Sequence, residues 1–187
     1  PIQGCAFLKT RGELAAPDVQ ITLVPGLLDR LVALKPTHGF LIHVYQMRPA
    51  SRGNIVLRSS SPTDKPVITA NYLSEPEDLV TIRRGVRLAR SIAHQSSFDP
   101  YRGEEIAPGA DIQSDGDLDE WVRANATTSY HPVGTCRMGS DPRAVVDPDL
   151  RVRGVTGLRI ADASIMPAIT SGNTNAPAIM IGEKAAD

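Results

Sequence analysis

Cysteine is nearly absent: Cys5 and Cys136 are the two in 187 residues. That density excludes a disulfide-built scaffold, leaves room for a single bridge at most, and points to a reducing compartment such as the cytoplasm. Long apolar runs are missing too, and nothing approaches the roughly 20 residues that cross a bilayer as a helix. No sign of charge dominates, with 20 Lys and Arg against 21 Asp and Glu. A chain this neutral has no basic field to hold nucleic acid or an anionic membrane. Aromatics are few, at 4 Tyr, 3 Phe and 1 Trp; a site for a quaternary ammonium would call for an aromatic or acidic cage. Neither Cys-x-x-Cys nor His-x-x-x-His occurs, and a zinc site is not indicated.

What is present is an ordinary globular balance, 41% hydrophobic and 22% charged, with 15 glycines and 15 prolines. That much glycine and proline implies many turns and argues against a helix bundle. Short β-rich runs occur at Val19–Val24, Gly39–Met47, Asn54–Arg58 and Pro66–Ala70. The spacing of the last three suits antiparallel neighbours joined by turns. Leu79, Ile82, Val86, Ala89 and Ala93 recur at helical intervals, predicting an amphipathic helix over 75–94 with Ser74 and Glu77 as its capping box. Arg83, Arg84, Arg87 and Arg90 lie off that stripe and read as a solvated face. Ser114 starts a second helix carrying Leu118, Trp121 and Val122. Short strands are expected at 145–152 and 158–161, and a last helix from about Asn175 with Pro177 in its first turn.

Two clusters can carry chemistry. The first is Ser129-Tyr130-His131-Pro132-Val133-Gly134-Thr135-Cys136-Arg137-Met138-Gly139. A histidine before proline is kept out of a helix interior. A loop imidazole among small neighbours is accessible, and its ordinary pKa of about 6.5 suits proton abstraction. Taken alone, a loop histidine is more often structural. Cys136 with His131 or His43 would make a cysteine nucleophile, but no orienting group or oxyanion hole accompanies it, and a small buried hydrophobe is the simpler reading. The second cluster runs Ala161-Asp162-Ala163-Ser164-Ile165-Met166-Pro167, then Ser171-Gly172-Asn173-Thr174-Asn175-Ala176-Pro177. A helix start of this kind can hold a phosphate, a carboxylate or the electron-rich edge of a flavin. The plain alternative is capping by Thr174 or Asn175.

Together the runs SYHPVGTCRMG (129–139), VVDPDLRVR (145–153) and GLRIADASIMPAITSGNTNAPAIMIGEKAAD (157–187) resemble the C-terminal signature of the glucose–methanol–choline oxidoreductases. RPASRGNIVLRS (48–59) and PVITANYLSEPED (66–78) resemble the same region of that family, nearest its choline-dehydrogenase-like and alcohol-dehydrogenase members. The resemblance covers residues 45–187. It implies FAD as cofactor and a small alcohol as substrate. His131 would be the base that takes the hydroxyl proton, and Asn173 would hydrogen-bond the same oxygen. Asp162 and Ala163 match the family's contact to the ribityl–pyrophosphate region of FAD. Asn175, Ala176 and Pro177 match the helix start against the flavin ring.

One departure is large. The family cradles the ADP part of FAD with an N-terminal Gly-x-Gly-x-x-Gly unit, and Gly154-Val155-Thr156-Gly157 does not supply it. The chain also opens on Pro1 without a methionine. The expectation is therefore an excised C-terminal portion whose partner is the missing N-terminal FAD-binding domain. The expected fold is α+β, with a mainly antiparallel sheet and helices in a substrate-binding domain over 1–144. Residues 145–187 would return to the FAD domain. The rival expectation is an inert binding module that neither holds FAD nor turns over alone.

Overall fold

The computed structural model describes residues 2–29, 33–34 and 38–187. They form an α+β fold as expected, with a three-stranded antiparallel sheet, two short strand pairs and three α-helices. Contacts divide the chain into two units, Pro1–Ala50 with Leu73–Thr127, and Ser51–Tyr72 with Thr128–Asp187.

In the first unit β1 (Gly4–Leu8) and β2 (Val19–Pro25) pair antiparallel. The two-residue strands β3 (Leu28–Asp29) and β4 (Ala33–Leu34) pair with each other. Strand β5 (Phe40–Gln46) then lies on the other side of β2, which makes β2 central. β1 was not anticipated, because GCAFL is too short to show a period. The register sets Ile21 opposite Val44 and Thr22 opposite His43. One face of β2 and β5 is thus apolar, while the other carries His43 and Tyr45, whose Nδ1 and hydroxyl oxygen are hydrogen-bonded at 3.0 Å. Burial holds the His43 pKa below the ordinary imidazole value.

Helix α1 (Pro76–Ala93) lies on the apolar face, and Gly85 is where the approach is tightest. The helix begins as predicted, but the capping box does not form. Glu75 holds the cap position without a side-chain hydrogen bond. Glu77 instead faces Arg11 and Arg84 at 3.5 and 3.8 Å. Buried Asp78 accepts from Gln46 Nε2 at 2.7 Å and from the Ala50 N–H at 2.8 Å, tying the helix to the end of β5. Helix α2 (Asp115–Asn125) is capped by Ser114, which accepts from the Asp117 N–H. Leu79, Val86, Leu118 and Val122 close the core between the two helices. Of the arginines of α1, Arg84 and Arg87 keep to a solvated face, whereas Arg83 and Arg90 do not. Arg83 pairs with Asp119 at 2.6 Å and Asp115 at 3.1 Å, and Arg90 with Glu105 at 2.8 Å, so they bind α1 to α2 and to the loop before it.

In the second unit β6 (Asn54–Val56) and β7 (Val67–Thr69) form an antiparallel hairpin. They do not extend the sheet of β5, a correction to the expected three-strand run. Residues 145–152 and 158–161 are not strands either. They meet through isolated bridges, Met138 with Val146, Val146 with Val152 and Arg151 with Arg159. Prolines and aspartates in DPD and the left-handed glycines 154 and 157 break any longer ladder. Ala144, Val146, Ile165 and Met166 are the buried apolar residues there. A tight 3-10 turn, Ala163–Ile165, is capped by Asp162, whose carboxylate accepts from the Ser164 N–H at 2.7 Å. Hydrogen bonds from Ser164 hold the Asp162 carboxyl below its ordinary value. Helix α3 (Asn175–Ala186) ends the chain as predicted and packs beside that turn.

Two stability measurements follow from this packing. Alanine normally gains about 1 kcal/mol over glycine inside a helix. At Gly85 the new methyl would collide with Val44, and overpacking costs about 1–3 kcal/mol. Gly85→Ala is therefore expected to lower the melting temperature by a few degrees, and an increase would show that the sheet yields. Asp162→Ala should cost about 1 kcal/mol at pH 7, the usual worth of a cap. A depressed carboxyl stabilises above its ordinary value, near 3.8, and that contribution is lost as pH falls below it. Denaturant unfolding should thus show the wild-type advantage shrinking between pH 5 and about pH 2, whereas a pH-independent gap would rule out the carboxylate as its source.

Candidate functional site

The second unit gathers the site from three loops. Thr128–Gly134 brings His131, Asp162–Met166 brings the capped turn, and Ser171–Thr174 leads into α3. The first two loops are stitched by backbone: the Cys136 N–H donates to the Ser164 carbonyl at 3.0 Å and the Met138 N–H to the Ile165 carbonyl at 2.7 Å. Gly134 makes this possible at φ +92, with the Met166 carbonyl 3.2 Å from where a Cβ would stand. Arg137 grips Asp141 through two 2.8 Å hydrogen bonds, which closes the following turn and holds the Asp141 carboxyl well below the usual range.

His131 and Asn173, 42 residues apart in sequence, meet directly. The Asn173 amide nitrogen lies 2.7 Å from His131 Nε2. On the other side of the ring, Nδ1 is 3.0 Å from the Thr174 hydroxyl oxygen and 3.4 Å from the Thr174 backbone nitrogen. Both ring nitrogens are therefore engaged by consecutive residues of one loop. The imidazole is held at a defined angle, and its partners are not Cys136. Tyr130 and Ser171 precede this pair by one and two residues, and both sit at φ 62. Non-glycine residues in that left-handed region each cost about 1–2 kcal/mol. Such strain persists where surrounding contacts fix it, commonly at functional sites.

Asn173 is exposed and His131 half-buried, so the pair opens to solvent on one side. A hydroxyl oxygen entering there could meet a proton acceptor at Nε2 and an N–H donor at Asn173 together. That is the arrangement an alcohol needs to become alkoxide-like. Thr174 is the residue sequence reasoning assigned elsewhere. It occupies the cap position of α3 but makes no side-chain cap hydrogen bond, because its hydroxyl is turned to His131. It is only 7% exposed. No sequence pattern distinguishes a capping threonine from this one.

The residues matched to FAD divide into two sets. Asn175, Ala176 and Pro177 form the first turn of α3, an N-terminus that no side chain caps. Its first N–H groups and the positive end of the helix fit an electron-rich ring edge. Asp162 spends its carboxylate on Ser164, which leaves the backbone of Asp162 and Ala163 as the part that could meet a ligand. No helix of the described residues is long and apolar enough to cross a membrane, and both cysteines are free.

Against known proteins, the GMC oxidoreductase family matches residues 49–182. The oxygen-dependent choline dehydrogenase of Brucella ovis is 48% identical over 99% of this chain, and that of Rhizobium rhizogenes is 51% identical over the same share. In each case the chain spans 34% of the relative's length. Among solved structures, pyridoxine 4-oxidase from Mesorbium loti superposes with a TM-score of 0.87 at 30% identity, covering 97% of this chain and 36% of that one. A formate oxidase of Aspergillus oryzae RIB40, studied for its FAD modification, gives 0.85 at 28% identity, covering 93% and 31%. The chain belongs to the GMC oxidoreductases and corresponds to the C-terminal portion of that family.

Proposed function

We propose that these residues are the catalytic-pair-bearing part of an FAD-dependent enzyme that oxidises a primary alcohol to an aldehyde. The observation that carries this reading is the 2.7 Å approach of Asn173 to His131 Nε2 in a site open on one side. An alcohol oxygen that displaces the direct Asn173–Nε2 contact would give its proton to Nε2 and accept from the freed Asn173 N–H. As that oxygen gains negative charge, hydride leaves its carbon more easily, so both groups act where charge develops. Asn173 can donate without competing for the proton. Bound FAD would supply the hydride acceptor. The start of α3 at Asn175, Ala176 and Pro177, with the backbone of Asp162 and Ala163, would hold one edge of it. Choline is the alcohol put forward first, since it is the substrate in the names of relatives about half identical over nearly the whole chain.

We further propose a division of labour, within relatives of which this chain spans 34%. Residues 1–144 would serve as substrate-binding domain, and residues 145–187 would return to an FAD-binding domain that lies in the rest of such a polypeptide. A specific observation favours an inert state for the 187 residues alone. Ile179 and Met180 of α3 are 59% and 58% exposed, and the helix buries none of its residues. Apolar surface of that kind needs a cover. The two unbridged cysteines are in keeping with a cytoplasmic setting.

The test is anaerobic reduction of bound flavin by choline in the full-length protein that carries this chain. His131→Ala should slow reduction by roughly 10²–10⁴-fold, the range for a general base, with FAD content unchanged. Undiminished reduction would remove His131 from the base role. The 187-residue chain mixed with FAD and desalted should come out colourless. Retained flavin would sink the division proposed here.

A further inference from the structure

We propose that Thr174 is a positioning residue that fixes the tautomer of His131; the inference rests on the base role proposed for that histidine. A neutral imidazole carries one proton on either nitrogen, and only the bare nitrogen can accept another. Free histidine favours the proton on Nε2, which is the wrong nitrogen for this site. Nε2 is the one turned to Asn173 and to the open side. Nδ1 is turned inward to Thr174 and cannot meet a substrate.

The geometry points to Thr174 as the group that reverses the preference. Its hydroxyl oxygen is 3.0 Å from Nδ1, where it would accept an Nδ1–H. With that proton placed, the Nε2 lone pair receives the Asn173 N–H at 2.7 Å, and both contacts are satisfied without turning the amide. The Thr174 backbone N–H points at Nδ1 as well, at 3.4 Å, and can only donate; this long contact opposes an Nδ1–H, and in this assignment the hydroxyl at 3.0 Å outweighs it. Tautomer control by a bond to the second ring nitrogen is how imidazole bases are commonly set.

A second observation supports the assignment. Thr174 stands where a threonine would ordinarily cap the helix. Here α3 has no side-chain cap and the hydroxyl is buried against the imidazole. The fold gives up the cap at this residue and gains an oriented base.

The experiment uses the full-length protein labelled with ¹⁵N-histidine, recorded at alkaline pH, with His131 identified by the signals lost in His131→Gln. The expected wild-type spectrum shows Nδ1 protonated and Nε2 bare. Thr174→Val keeps the shape and removes the acceptor. It should move the proton toward Nε2 and slow flavin reduction by alcohol about tenfold, the scale of one hydrogen bond, with bound flavin unchanged. Thr174→Ser should restore both the tautomer and the rate. A wild-type His131 protonated on Nε2, or a Thr174→Val protein with the wild-type tautomer, would overturn the proposal. The wild-type spectrum decides even where the valine variant fails to fold. It is also independent of turnover: full activity in His131→Gln would end the base role and leave the tautomer result to stand or fall by itself.

Discussion

A threonine hydroxyl at the start of a helix can bond the helix backbone or a neighbouring side chain, and at Thr174 it is turned to an imidazole. Much of the second unit is arranged around that choice. The His131 ring is fixed on its inner side by Thr174 and on its outer side by Asn173. Two residues of one loop therefore orient a side chain that enters 42 positions earlier. Because the loop continues directly into α3, the uncapped helix terminus and the oriented base are consequences of the same side-chain decision. A site assembled this way has little slack. Tyr130 and Ser171 are held at unfavourable φ to bring the two loops together, and local strain of that kind must be offset by contacts elsewhere.

Those contacts are backbone to a large degree. Cys136 and Met138 donate to the turn at Ser164 and Ile165, and the turn is in turn capped by Asp162. Short irregular segments with few ladder hydrogen bonds are normally the mobile parts of a domain. Here each is anchored at one or two buried apolar residues, Val146, Ile165 and Met166 among them. The first unit is built on the opposite plan. A twisted antiparallel sheet, a long amphipathic helix and internal arginine pairs supply its order, and Asp78 ties helix to strand from a buried position.

This contrast explains what could be read in the sequence. Periodicity is a property of regular elements, so α1, α2, β2 and β5 were legible within a residue or two. β1 has five residues and no clear alternation of its own. The pairing partner of β5 could not be read, since sequence spacing favoured β6 while the register that sets Val44 against Gly85 pairs β5 with β2. Arg83 and Arg90 looked solvent-facing because their partners, Asp115, Asp119 and Glu105, are distant in sequence. In the second unit the meeting of His131 with Asn173 was legible only through resemblance to a family. Propensity and period have nothing to say about two loops. Thr174 escaped both routes, as its residue type predicts a cap and its position confirms the expectation until the hydroxyl's partner is seen.

Helix α3 bears on what the site needs in order to hold its shape. Isolated helices of about 12 residues are marginal in water, because nucleation is costly and propagation gains little per residue. α3 has 12 residues, buries none of them and carries Ile179 and Met180 outward. Most helical stability in proteins comes from packing an apolar face, and the regular element that α3 packs against among the described residues is the Ala163–Ile165 turn. Whatever surface covers Ile179 and Met180 in a longer polypeptide therefore stabilises the helix. The helix start is Thr174 and Asn175, and the residue before it is Asn173. Docking of that surface and alignment of the His131–Asn173 pair draw on the same free energy. The order of the His131–Asn173 pair is thus coupled, through the start of α3, to how well that helix is packed.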